Sequence, residues 1–225
     1  MQLMDRTDGH YTRAEKVSDA TIHILGGGMG IFGVAALVPL SIIWGDSAFV
    51  VGAAAIYSVA LLAMLSASAS YHMSPQGAVK DWLRRLDHSA IYVKIAGTYT
   101  PFIVLSGMAP WMLLSFLWGS ACVGGAVRIL APGRFTWLCL SLYLIMGWSG
   151  LIIGAEMFTG LGPNTFVLML IGGLIYTSGV AFFLWESLPF HNTIWHAMVL
   201  VATGFFYSAL LIELAGPGMA GVVKP

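Results

Sequence analysis

The chain has 225 residues, of which 58% are hydrophobic and 9% charged, with 10 Lys+Arg balanced by 10 Asp+Glu. Soluble domains carry about a quarter charged residues, and the mean hydropathy here is +0.85. These values exclude an ordinary soluble enzyme, a nucleic-acid binder with a basic surface and any sizeable disordered segment, and leave an all-α polytopic integral membrane protein.

At about 20 apolar residues per crossing, the length holds seven transmembrane helices. The first twenty residues are polar and mixed in charge, unlike a cleavable signal peptide. Apolar runs then follow at 20–43, 48–71, 87–105, 110–130, 135–157, 165–185 and 192–215, each ended by charge, Pro or Gly. A polar loop is expected at 75–85, and Pro189 breaks the chain before the last run. The runs lack period-2 alternation and are twice the length of a membrane strand, so they read as helices. The expected layout is an N-terminal cytoplasmic segment 1–19, a seven-helix domain 20–215 and a short tail 216–225. Cys122 and Cys139 lie inside apolar runs and suggest no disulfide framework. Gly26-x3-Gly30 and Gly172-Gly173 fit close helix packing, or simply the usual glycine content of membrane helices.

Seven spans put Arg6, Arg13, Lys16, Lys80, Arg84, Arg85, Arg128 and Arg134 on one side, and only Lys224 on the other. Lys94 falls within a span. Basic residues collect on the cytoplasmic side, so the N-terminus is expected inside and the C-terminus outside.

Ionisable groups at membrane depth are costly and ask for a reason. His23, Ser68, His72, Asp87, His88, His191 and His196 all fall at the cytoplasmic ends of spans, whereas the outer side has no histidine. Ser68 and His72, four apart, share one helix face about 40° wide. Histidines with one carboxylate in a place of low dielectric suit a zinc ion, with Asp87 as a partner of the ligands or as base for a water. Each residue also has a plainer role: a histidine at a span end serves as a hydrogen bonder, and Asp87 can cap its own helix. Trp44, Trp111 and Trp185 read as interface anchors and the methionines as packing. Lys94 either pairs with a carboxylate or snorkels.

The run from Ser66 to His72, the run Leu86-Asp-His-Ser-Ala-Ile-Tyr-Val-Lys-Ile-Ala-Gly-Thr-Tyr-Thr-Pro-Phe102 and Ile194-Trp-His196 closely resemble the hemolysin III family. That family is the bacterial branch of the progestin and adipoQ receptor group. Met146-Gly147-Trp148 and Glu15-x3-Asp19-x3-His23 extend the likeness over nearly the whole chain. The resemblance implies a seven-helix protein of the bacterial inner membrane with a zinc site on the cytoplasmic side. In the family pattern a histidine of the second span and an H-x3-H pair of the seventh bind the metal, beside a serine and an aspartate. His72, His196, Ser68 and Asp87 match these positions, but Asn192 stands where the remaining histidine belongs, with His191 one residue earlier.

Residues five apart on a helix point about 140° apart, so His191 and His196 do not face one metal from a regular helix. If Asn192 caps the helix, His191 lies outside it and can swing back as third ligand. Otherwise Asn192 offers its amide oxygen, a poor zinc donor, or the metal is weak or absent. The set expected here is His72, His196 and His191.

Two functions follow from the resemblance. One is a zinc-dependent hydrolase of ceramide-like lipid amides, with Asp87 accepting the proton of water and Ser68 steadying the oxyanion. The other is a non-enzymatic membrane sensor, regulator or cytolysin. The expected partners are membrane lipids and a lipid amide substrate, with no nucleic acid.

Overall fold

The structure is a computed structural model that describes residues 11–108 and 110–222, with side chains described as far as residue 216. Arg6 and Lys224, used above to orient the chain, lie outside the described residues. Among the described residues eight α-helices succeed one another: α1 (Arg13–Trp44), α2 (Ala48–Met73), α3 (Ala78–Leu105), α4 (Trp111–Leu130), α5 (Thr136–Ile152), α6 (Ala155–Gly160), α7 (Pro163–Leu184) and α8 (His191–Val222). Among the described residues there is no strand.

Several helices begin earlier than hydropathy alone indicates. α1 starts two turns before the apolar run because Thr12 and Glu15 form a capping box. The Thr12 hydroxyl accepts from Glu15 N–H at 3.2 Å, and Glu15 Oε2 accepts from Thr12 N–H at 2.8 Å. α3 starts at Ala78 behind Gly77, so most of the expected polar loop at 75–85 is helical. Its charges are helix-face residues, with Arg84 Nη2 and Asp81 Oδ1 4.0 Å apart at i,i+3. Asp87 therefore sits in the third turn of α3 and does not cap it. The run 135–157 is also divided: α5 stops at Ile152, and the short α6 follows Gly154.

Among the described residues five helices are long and apolar enough to cross a membrane: α1, α2, α4, α7 and α8 as far as Gly216. α5 is apolar but has 17 residues. α3, the most polar of the long helices, packs against α2 and α4 and also meets α5, α6 and α8. Its Tyr92, Ala96 and Phe102 are fully enclosed, and Lys94, Thr98 and Thr100 are buried with them. The neighbours thus shield the one long helix whose composition lipid would not accept. Outward faces are the reverse: Phe32, Phe49 and Leu130 are 80–82% exposed, an arrangement that only a lipid surround makes favourable.

Close packing uses small residues at particular points. A β-carbon on Gly172 would lie 2.8 Å from Phe206 Cε2, and one on Gly30 would overlap Leu65 Cδ1, whereas Gly27 and Gly28 face open space. At the end of α8 remote from His191, Glu213 Oε2 accepts from Gly162 N–H at 3.1 Å and from the Thr165 hydroxyl at 2.6 Å. One helix thereby caps the start of its neighbour, α7.

Candidate metal centre

The site forms where the starts of α1 and α8 meet the end of α2. Glu15 holds the junction: Oε1 accepts from Phe190 N–H at 3.0 Å while Oε2 serves the capping box. One turn further along α1, Ser18 Oγ lies 2.9 Å from Thr193 Oγ1. These ties set α1 against the first turn of α8, so that Asp19 faces His196.

Asp19 is the hub. His196 Nδ1 lies 2.7 Å from Asp19 Oδ1, His72 Nδ1 lies 2.9 Å from Oδ2, and His23 Nε2 lies 3.7 Å from that same oxygen. The imidazoles crowd one another, with ring centroids 4.4 Å apart for His23–His196 and His72–His196 and 4.9 Å for His23–His72. Each of the four residues offers one ligand atom within 4.8 Å of the others. This buried group can hold a metal ion. His23 Nε2 is buried with no hydrogen-bond partner, and an orphaned imidazole nitrogen is what an additional ligand bond would satisfy. Three imidazoles and a carboxylate form a donor set suited to zinc and other first-row metals.

Of the residues singled out from the sequence, the structure brings His72 and His196 together in this group. Asp87 lies beside it, with His72, Ser68, His23 and Asp19 as its electrostatic neighbours. Ser68 is buried one turn before His72 on the same face of α2. His191 is not in the group: its Nε2 lies 2.9 Å from Tyr11 Oη, and the two rings stack at 5.8 Å. The capping role considered for Asn192 fails as well. α8 begins at His191, and the carbonyl of Phe190 accepts the first helical bond, from Ile194 N–H at 2.9 Å. Asn192 is inside the helix, one turn before His196, and lines the adjoining cavity.

Asp19 and His23 carry what sequence reasoning left out. Both belong to Glu15-x3-Asp19-x3-His23, and their i,i+4 spacing matches that of Ser68 and His72, but the expected ligand set of His72, His196 and His191 does not include them. The carboxylate and the third imidazole come from the first helix, not the last.

The centre opens onto a cavity of about 840 Å³. Its lining runs from Asp19 and His72 past Asp87 and Lys94 to Tyr99 and Phe206. A polar head with an apolar interior suits an amphiphile.

Comparison with known proteins agrees with this architecture. Residues 11–207 match the family described as haemolysin-III related. The hemolysin-3 homolog of Bacillus subtilis (strain 168) is 34% identical over 203 residues, covering 89% of this chain and 95% of that protein. Hemolysin-3 of Bacillus cereus is 34% identical over 199 residues, covering 88% and 90%. With its apolar helices and its family match over most of its length, the chain is a multi-pass membrane protein and belongs to the haemolysin III family.

Proposed function

We propose that this protein is a zinc-dependent hydrolase of lipid amides, working from the inner leaflet of a bacterial cytoplasmic membrane. The observation that carries this is the convergence of Asp19, His23, His72 and His196 at the head of a large cavity, with Asp87 and Ser68 beside them. Zinc fits the donors, and a zinc ion bound there supplies a Lewis acid for a carbonyl and for water. Asp87 is the carboxylate left over once Asp19 is committed to the histidines, and it accepts the proton of the attacking water. Ser68 donates its hydroxyl to the developing oxyanion. The apolar cavity takes the acyl chain.

Seven crossings are the favoured topology, made by α1 to α5, α7 and α8, with α6 as a short surface helix. The N-terminus is inside and the C-terminus outside. Support comes from the clustering of charge: Lys16, Lys80, Arg84 and Arg128 all line the cavity that opens at the metal centre, and Arg85 Nη1 donates to the Ile129 carbonyl at 3.3 Å, joining two basic segments.

Fatty-acid release from a panel of ceramide-type amides tests the activity. Zinc-loaded wild type is expected to release product, and Asp87→Asn to lower the rate by about 100-fold or more while keeping its zinc, the scale of a lost general base. No release from any amide by zinc-loaded protein would favour a sensor or regulator built on the same metal centre.

A further inference from the structure

α3 brings a second charged side chain into the cavity, well apart from the metal centre. Lys94 follows Asp87 by seven residues, two helical turns, so both project to one side of α3, and both line the cavity. Lys94 is 3% exposed. Its Nζ donates to Thr98 Oγ1 at 2.7 Å and lies 5.0 Å from the centroid of the Tyr57 ring. Thr98 is one turn further from Asp87, so the ammonium is drawn away from the metal centre, into the interior.

The surroundings leave this cation uncompensated. Among the described residues no carboxylate is paired with it. The Thr98 hydroxyl donates its own proton to the Lys94 carbonyl at 2.7 Å and accepts one from the ammonium. An ammonium has three donors, so two remain. The Tyr57 hydroxyl, on the ring beside the ammonium, is buried and has no hydrogen-bond partner. A buried charge without a counter-ion is strongly unfavourable, and the same cavity is lined by the apolar side chains of Ile91, Ile95 and Phe206. What is missing is an anion attached to an apolar body.

We infer that the cavity binds a long-chain carboxylate, with its carboxylate on Lys94 and its hydrocarbon chain against the apolar wall. One lysine matches one negative charge, whereas a phosphate dianion would leave excess charge buried. Two free N–H donors match the two oxygens of a carboxylate. The cavity volume of about 840 Å³ is within the range that holds such a molecule. This site needs neither the metal nor hydrolysis.

The test is binding of cis-parinaric acid and of its methyl ester, followed by fluorescence with the purified full chain in lipid nanodiscs. The wild type is expected to bind the acid about tenfold or more tightly than the ester, the scale of a desolvated charge pair. Lys94→Met and Lys94→Gln are each expected to bind acid and ester alike, whereas His72→Ala retains the preference for acid. Equal binding of acid and ester by the wild type would overturn the inference, and this comparison stands even where a Lys94 variant does not fold. Retention of the preference in both Lys94 variants would overturn it too. So would its loss in His72→Ala with retention in Lys94→Met, which would put the carboxylate at the metal centre.

Discussion

Asp19 Oδ1 and His196 Nδ1 lie 2.7 Å apart although 177 residues separate them in the chain. The other oxygen of the same carboxylate is 2.9 Å from His72 Nδ1. One acidic side chain thus joins α1, α2 and α8, and does so in a buried place where unpaired charge is costly. Asp19→Asn keeps the volume but leaves one acceptor oxygen for two imidazoles. It is expected to weaken zinc binding by about 10- to 100-fold, because the amide is a poorer metal donor than the carboxylate and holds the two histidines less firmly. Competition with a zinc chelator measures this.

The swap between His23 and Asn192 gives a sharper test. His23 comes from α1 and supplies the third imidazole of the cluster, while Asn192 stands where the resemblance implies a ligand histidine. Asn192 lies one turn before His196 and lines the same cavity, so a histidine there points toward the site. His23→Ala alone is expected to lose most bound zinc, and His23→Ala with Asn192→His to regain it. Zinc content by mass spectrometry of the two purified variants decides; no recovery in the double variant would mean that α1 and α8 do not supply interchangeable ligands.

His191 has a different task. Its bond to Tyr11 and the stacking of the two rings tie the chain ahead of α1 to the first residue of α8. His191→Ala is expected to leave zinc content unchanged and to lower stability by about 1 kcal/mol, the worth of one hydrogen bond. Thermal unfolding in detergent, beside a zinc assay, separates the two effects. Loss of zinc would return His191 to the ligand set.

Glu213 offers a control at the far end of the bundle. It accepts from Gly162 N–H and the Thr165 hydroxyl, and Thr165 is fully buried. Glu213→Ala strands both donors and is expected to cost about 2–3 kcal/mol of stability, with zinc affinity unaltered. The same unfolding and chelator measurements apply, and a fall in zinc affinity would show the two ends to be coupled.

Much of this was legible from residue order. Apolar runs located the helices because lipid imposes length and composition on anything that crosses it. The gathering of His72, Asp87 and His196 in one place also followed, since the expected spans put all three at the same end of the bundle. What did not follow was anything decided by helix ends and rotation. α1 and α3 extend through charged turns such as Lys80–Arg85, where hydropathy sees a loop but capping and helix-face charge pairs favour helix. His191 looked available to the metal because sequence spacing says nothing of Tyr11 beside it. Asp19 and His23 were visible as an i,i+4 pair, but their role depends on α1 packing against α8, which pattern alone does not specify.

Asp19, His23, His72 and His196 are proposed together to form a metal centre. The most direct measurement is X-ray absorption at the zinc edge on purified wild-type protein, which counts the imidazoles around the metal. Three imidazole nitrogens with an oxygen donor are predicted, falling to two imidazoles in whatever zinc His23→Ala retains. Two imidazoles in the wild type, unchanged by His23→Ala, would contradict the account.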